Sequence, residues 1–389
     1  MSSLVLDPSQ RRLRPPAMPV AADVDLPLAF TDPRLATPAL VVDLEVLEAN
    51  VLRMAAIADH GGLALRPHVK SHKSVEIAHR QVAAGATGIC VASVGEAEVM
   101  WAGGLDDITL AYPTWGEAKL DRLADLVAAG AITLVTDSVE VAEGYSRLAT
   151  RVGVGVRVLV EVDTGMHRVG VPPAMTVELA LAIARLPGLS FGGILTHAGH
   201  AHDVVTQPEI ASVARYEARQ MGLAREALEQ AGLTVEVVSA GSTLTAPYLN
   251  ADDGITEIRP GTYVLNDLRT LGCYACTADQ IAATVLTTVV SVGEGRVVLD
   301  AGSKTLTTAR TSQHGYGHPD RMPDAGITRL SEEHAVLEVR DHARLSVGDR
   351  LRILPIHICV CMDLQREVYG VSGDRIVSRI TVDAMRRSL

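Results

Sequence analysis

Residues 63–74, LALRPHVKSHKS, run from an apolar stretch into Arg66, His68, Lys70, His72 and Lys73. Alternation along an extended chain puts Arg66, His68, Lys70 and His72 on one face. Four bases on one face repel one another unless an anion or a reaction occupies that face. Such crowding also favours the neutral amine that a nucleophilic lysine uses. A solvated basic edge is the alternative, and the rest of the chain decides between the two.

The second chemical pattern is His357-Ile358-Cys359. On a strand, residues i and i+2 point the same way, so an imidazole and a thiolate can share one cation. Two ligands leave positions open for water and a substrate hydroxyl, as a Lewis-acid site requires. The plain alternative is a buried pair without metal. Cys361, two residues further on, would face the same side as a weaker third ligand. Cys273 and Cys276 form a CxxC without a second pair nearby, and read as small buried residues at a domain crossing.

These groups need elements to position them. The chain has 389 residues, 48% hydrophobic but only 3% aromatic, so its core must be built from Val, Leu, Ile and Ala. Parallel barrels and sheets are built that way. The net charge of -11 argues against a nucleic-acid partner. An odd count of five cysteines is not a disulfide framework, and no apolar run reaches membrane-spanning length. The start lacks a signal-peptide core. A cytoplasmic protein with no membrane association is expected.

Ala39–Asp43 reads as a strand, with Asp43 capping a helix whose apolar stripe is Leu47, Val51, Met54 and Ile57. Strands follow near 63–69, 88–93, 107–111, 132–136, 156–163, 191–197, 235–240 and 256–259. Helical patterns lie between them, near 74–84, 95–102, 117–128, 138–150, 173–186 and 207–231. The alternation predicts an α/β protein, a (β/α)8 TIM-type barrel. An open doubly wound sheet would want a Gly-rich turn after its first strand, which is missing. Beyond residue 276, β-branched runs separated by Gly, Asp and Pro predict a C-terminal all-β domain. The expected division is an N-terminal arm over 1–36 packing with the β domain, a barrel over 37–272, and the β domain over 273–389. Residues 312–326, with His314, Tyr316 and His318, read as a long polar loop and a candidate lid.

A barrel keeps its chemistry at the C-terminal ends of its strands. The fifth strand ends in Glu161 and Asp163, followed by Arg168. The sixth ends in Thr196 and His197, then His200, with both histidines candidate bases or ligands. The seventh ends in Gly241, Ser242 and Thr243, and the eighth in Arg259, Gly261, Thr262 and Tyr263. Small residues and hydroxyls after the last two strands are where barrels commonly bind phosphate. An ordinary Gly/Ser turn is the alternative for each alone. Phosphate at one side of the mouth and a lysine at another suits pyridoxal phosphate, with Lys70 as its Schiff-base lysine and Arg168 near the ring. A sugar-phosphate barrel with a Schiff-base lysine is the rival, and the fused β domain counts against it.

The chain resembles the fold type III pyridoxal phosphate enzymes, the alanine racemase-like barrel family, in its D-serine dehydratase and D-threonine aldolase branch. The matching segments are 37–51 (TPALVVDLEVLEANV), 66–74 (RPHVKSHKS), 160–171 (VEVDTGMHRVGV), 196–200 (THAGH), 239–243 (SAGST), 257–267 (EIRPGTYVLND), 298–306 (VLDAGSKTL) and 357–359 (HIC). The resemblance implies Lys70 as the covalent anchor, a barrel followed by a β domain, and a homodimer that closes the site. In the dehydratase branch, the position of His357 and Cys359 holds a divalent metal pair. Zinc suits the thiolate, with manganese or magnesium as harder alternatives. Aldolase members carry a carboxylate in place of that cysteine, so Cys359 tilts the expectation toward dehydration.

The expected reaction is loss of water from a D-configured β-hydroxy amino acid of the D-serine or D-threo-3-hydroxyaspartate type, giving a 2-oxo acid and ammonia. Lys70 would remove the α-proton. Cleavage of the D-threonine aldolase type, with His197 taking the β-hydroxyl proton, is the alternative. An amino-acid racemase and a non-catalytic cofactor carrier are further alternatives. The cofactor and substrate contacts expected are therefore His68, Lys70, Arg168, His197, Gly241, Ser242, Thr243, Gly261, Thr262 and Tyr263. Arg66, together with His68 and His72, should hold the amine and screen the cofactor's charge, while Lys73 points away.

Overall fold

The computed structural model describes residues 26–388 apart from 205, 321 and 340–344. Most of the expected N-terminal arm therefore lies outside the described residues. The part that is described contributes a strand, Leu28–Ala29, which pairs antiparallel with Arg375–Thr381 near the C-terminus.

Eight parallel strands run in chain order: Ala64–Leu65, Ile89–Val91, Ile108–Leu110, Ile132–Thr136, Val156–Glu161, Leu189–Leu195, Val237–Ala240 and Glu257–Ile258. The last pairs with the first. A parallel bridge between His68 and Cys90 joins the first to the second, so the sheet closes into a barrel. The Cys90 N–H donates to Pro67 O at 2.8 Å across the same seam. Helices cover the outside, and each expected helical pattern is present. Val75–Ala83, Val94–Ala102, Val139–Val152 and Gln207–Gln230 are single helices, while 117–128 divides at Leu123 into two short ones. Fully buried Ile89, Ile108, Leu110, Leu134 and Val158 fill the parallel sheet and its packing surfaces. Each such side chain contributes roughly 1.5–3 kcal/mol by leaving water.

The helix Leu44–His60 starts at Asp43, whose side chain accepts from Val46 N at 3.0 Å. Its buried stripe is Leu47, Val51, Met54 and Ala58, with Ile57 only half-buried. The strand before it, Ala39–Asp43, belongs to the second sheet. It pairs antiparallel with Ala283–Gly293 and parallel with Glu367–Ser372. The chain thus begins in the β layer, crosses into the barrel, and returns.

That second sheet has ten strands among the described residues, and the long strand Ala283–Gly293 is its centre. Arg350–Pro355 pairs with this strand, and Gly317–Pro319 pairs in turn with Arg350–Pro355. The segment expected as a polar loop over 312–326 is therefore partly built into the sheet. His314 and His318 meet edge-on there, with ring centroids 5.3 Å apart. Among the described residues, no helix is long and apolar enough to cross a membrane.

Candidate active site

Lys70 does not lie on a strand. The first strand stops at Leu65, and Val69–Ser71 forms one turn of 3-10 helix. Ser71 Oγ donates to Gly261 O at 2.9 Å, tying that turn to the loop after the last barrel strand. Because the backbone leaves the extended conformation, the four bases do not share a face.

Arg66 points into the barrel interior, where its Nε donates to Glu257 Oε2 at 2.7 Å and its Nη1 to Asp107 Oδ1 at 2.8 Å. His72 is fully buried, with Nε2 3.1 Å from Gln81 Oε1, and its Nδ1 accepts from Ser74 N at 3.1 Å. Burial holds the His72 imidazole down at about 4. Neither residue reaches Lys70's cavity, so their expected screening role is corrected. Lys73 does point away, into an ion pair with Asp363 at 2.6 Å.

His68 and Lys70 line two adjoining cavities. One, of about 270 Å³, is bounded by Tyr112, Glu161, Arg168, His197 and Arg259 among others. The second, of about 130 Å³, is bounded by Ser242, Thr243, Gly261, Thr262, His357 and Cys359, with His202 also on its wall. Lys70, His68, His197 and Arg259 are common to both. The structure thus brings together ten of the residues expected at the site: His68, Lys70, Arg168, His197, Ser242, Thr243, Gly261, Thr262, His357 and Cys359.

Two others stand behind it. Tyr263, expected beside the cofactor, is fully buried, and its hydroxyl accepts from Gln81 Nε2 at 2.9 Å. Gly241 shapes the turn, with a left-handed φ of 81° that favours glycine, and its N–H donates to Glu217 Oε1 at 3.0 Å. His200 also turns aside and packs against Gly165. Cys361 is fully buried outside the cavity.

The two turns expected to hold phosphate are bound to each other. Thr243 Oγ1 accepts from Gly261 N at 3.3 Å and from Tyr263 N at 3.2 Å. A β-carbon on Gly261 would come within 2.9 Å of His68 O, so only glycine lets this loop close onto the Lys70 turn.

His357 and Cys359 also differ from expectation. His357 is the N-cap of a short helix, Ile358–Asp363, and Cys359 lies in its first turn. They face one cavity because of a helix start, not strand alternation. The helix is anchored where Asp267 Oδ2 accepts from Ile358 N at 3.1 Å.

Arg259 has no assigned role in the sequence reading, yet it is the best-held cation of the site. It is buried, and its Nη1 donates to Ser239 Oγ at 2.5 Å and its Nη2 to Thr196 O. Ser239 in turn donates to Glu257 Oε1 at 2.5 Å, the carboxylate that binds Arg66. A polar chain thus runs through the barrel from Arg66 to the mouth. His202 and Glu161 complete the walls. The available signal was their place beside strand ends, which does not separate cavity-facing residues from their neighbours.

Burial, and then the nearby charges of Lys70 and Arg259, hold His68 and His197 well below the usual histidine range. Both are neutral near pH 7. Burial likewise lowers His202 to about 4. Burial pushes the Cys359 thiol up to about 11 and the Glu161 carboxyl up to about 7.

The cavities suit the implied groups. The larger, at about 270 Å³, approaches the size of small-ligand pockets, roughly 300–1,000 Å³, and the smaller adjoins it, with hydroxyls lining the smaller, Arg168 the larger and Arg259 both. Among the described residues, His68 Nδ1 and Glu161 Oε2 are buried polar atoms without a protein partner, as expected where a ligand completes the bonding. Among the described residues, no cluster of three or more His, Cys, Asp and Glu forms a ready-made metal cage. His357 and Cys359 offer two donors, and burial lowers the pKa of His357, leaving its imidazole free to ligate. A bound cation would remove the thiol proton of Cys359.

Comparison with known proteins gives two matches to family models: the alanine racemase N-terminal domain over residues 42–267, and a putative serine dehydratase domain over 282–371. The chain is 38% identical to D-threo-3-hydroxyaspartate dehydratase of Delftia sp. (strain HT23), covering 84% of this chain and 91% of that one. It is 35% identical to D-threonine aldolase of Arthrobacter sp., covering 90% and 92% respectively. A solved structure of a D-threo-3-hydroxyaspartate dehydratase, with one cysteine replaced by alanine and in metal-free form, superposes with a TM-score of 0.84 at 35% identity. It covers 91% of this chain and 98% of its own.

Proposed function

Because this chain belongs to the alanine racemase N-terminal domain family of fold type III pyridoxal phosphate enzymes, we propose that it is a dehydratase acting on a D-configured β-hydroxy amino acid. Its products are a 2-oxo acid and ammonia. The observation that carries this reading is the position of Lys70. It lines both the cavity walled by Arg168 and Arg259 and the cavity walled by His357 and Cys359.

Ser242, Thr243, Gly261 and Thr262 would hold the phosphate end of pyridoxal 5'-phosphate, Arg168, His197 and Arg259 the ring end, and Lys70 the covalent anchor. Bound there, the cofactor supplies an electron sink for negative charge at the substrate α-carbon. His357 and Cys359 would hold a divalent ion, whose chemistry is Lewis acidity toward an oxygen ligand. The thiolate favours zinc over manganese or magnesium.

The chain's own residues supply the proton handling. The Lys70 amine, freed when substrate enters, is the base for the α-proton. Neutral His68 and His197 beside it add no positive charge. Arg259, fixed by Ser239 and Thr196, cannot turn away from the cavity. Its fixed charge orients an anion without reorganisation during the reaction. We further infer a homodimer in the cytoplasm, in keeping with five cysteines that are all free.

Cleavage to glycine and an aldehyde is the second reading. The 35% identical aldolase supports it, as do two neutral histidines, His197 and His202, on the wall shared with His357. One assay separates the two. D-serine, D-threonine and D-threo-3-hydroxyaspartate are each followed for 2-oxo acid, ammonia and glycine. Ammonia with 2-oxo acid supports dehydration. Glycine without ammonia overturns it in favour of cleavage.

A further inference from the structure

The turn that carries Lys70 and the helix that carries Cys359 are joined by an ion pair, buried at its lysine end and partly exposed at its carboxylate, three residues past one and four past the other. Lys73 Nζ lies 2.6 Å from Asp363 Oδ1 and 3.4 Å from Glu96 Oε1, and its side chain is only 8% exposed. Asp363 ends the helix Ile358–Asp363. Its Oδ1 also accepts from Arg386 N at 2.8 Å. Glu96 is buried in the barrel layer, and its Oε2 accepts from Ala92 N at 2.7 Å, where Ala92 borders the Lys70 cavity.

The same place gathers the C-terminal segment. Lys73 O accepts from Ala384 N at 3.0 Å, and Ser93 Oγ donates to Arg387 O at 2.5 Å. Lys73 itself sits at a left-handed φ of 55°, where a residue with a β-carbon is strained. A buried ion pair adds little net stability against hydrophobic replacement, and its best-attested use is to fix register. The metal helix has two ends, and both are held by the barrel layer. Asp267 binds the N–H at the start, and Lys73 binds the carboxylate at the end.

We propose that Lys73 is a positioning residue for the metal pair. Its bond to Asp363 sets the height and rotation of the helix so that His357 and Cys359 face Lys70. This rests on the reading of His357 and Cys359 as metal ligands. Geometry behind a ligand pair is expressed in affinity, and loss of one such support typically weakens metal binding by ~10–100-fold.

The test uses the full-length holoenzyme, with Zn2+ titrated against a chromophoric chelator and the cofactor's absorption band and affinity measured in parallel. Lys73→Met should weaken Zn2+ binding about 10-fold or more with the band and cofactor affinity unchanged, and Lys73→Arg should restore much of the loss. If Lys73→Met does not fold, Asp363→Leu, which removes the Oδ1 acceptor that Lys73 shares with Arg386, carries the same readout. Zn2+ affinity equal to wild type in the folded variant overturns the proposal and leaves the metal reading standing. Equal losses of cofactor and Zn2+ affinity also overturn it, since they show a general structural role. A wild-type enzyme that takes up no Zn2+, or whose uptake survives His357→Ala, overturns the metal reading itself.

Discussion

Thr262 Oγ1 lies 3.7 Å from Cys359 Sγ, so the last loop of the barrel touches the first turn of the helix Ile358–Asp363. The hydroxyl belongs to the turn suited to phosphate, and the sulfur to the pair suited to a cation. Two sites that read as separate in the chain, 97 residues apart, share one wall. On the proposed reading, Lys70 and the His357–Cys359 pair work in adjoining space, and changing either has distinct expected consequences.

Loss of the amine should be the most severe change. Purified enzyme should be yellow from its bound cofactor, and Lys70→Ala should be colourless. Turnover should fall by roughly 10²–10⁴-fold or more, since the same group is anchor and base. An absorption spectrum and a 2-oxo acid assay decide it. A Lys70→Ala enzyme retaining colour and rate would remove Lys70 from the mechanism.

Metal removal should separate from cofactor loss. Chelation, His357→Ala and Cys359→Ala should each abolish turnover and leave the visible absorption intact, because no backbone of the phosphate turns is altered. Cys359→Asp should move the preferred ion from zinc toward manganese, as a hard oxygen replaces the thiolate. Metal content by elemental analysis against activity reads this out. Full rate in metal-free enzyme contradicts the role of the pair.

Arg66 is a stability residue within the barrel. Arg66 and Glu257 are both 5% exposed, while the Asp107 partner is half exposed and contributes little. Arg66→Met should leave Glu257 buried without its cation, costing about 3–5 kcal/mol. Urea denaturation measures it. The neighbouring Ser239 and Arg259 bonds predict a weaker cofactor affinity in the same variant.

Glu161 should tilt the pH dependence of stability. Burial raises its carboxyl from 4.5 to about 7 in the folded protein. Between those values the unfolded chain has lost the proton that the folded chain keeps, so ionisation favours unfolding. Stability therefore falls as pH rises through this window and levels off above about 7. Glu161→Gln lacks this penalty. In cofactor-free protein, the variant should gain up to roughly 3 kcal/mol on wild type between pH ~5 and pH ~8. Denaturation midpoints at the two pH values give the difference, and a constant difference removes Glu161 from the titration.

Local pattern carried most of the fold. Alternation and helical spacing depend on neighbours a few residues away, and all eight barrel strands and the helices between them follow from it. The long strand Ala283–Gly293 was equally legible from its β-branched run. Residue type and order placed Lys70 and the Gly/Ser turns in one reading, and the resemblance to the family joined the His-x-Cys pair to it.

What the chain could not display was the direction of each polar side chain, because buried polar groups go where distant partners satisfy them. Arg66 left the expected face because Glu257, 191 residues on, offers a buried carboxylate. Tyr263 turned inward to Gln81, 182 residues back. His357 and Cys359 converge through a helix start anchored by Asp267, not through strand alternation. Arg259 and His202 entered the site only when the barrel closed and the β layer folded over its mouth. Sequence by itself determined which chemistry the chain holds. Tertiary structure decided which residues stand around the cavity, because closing a sheet and pairing buried charges are long-range events that no local spacing encodes.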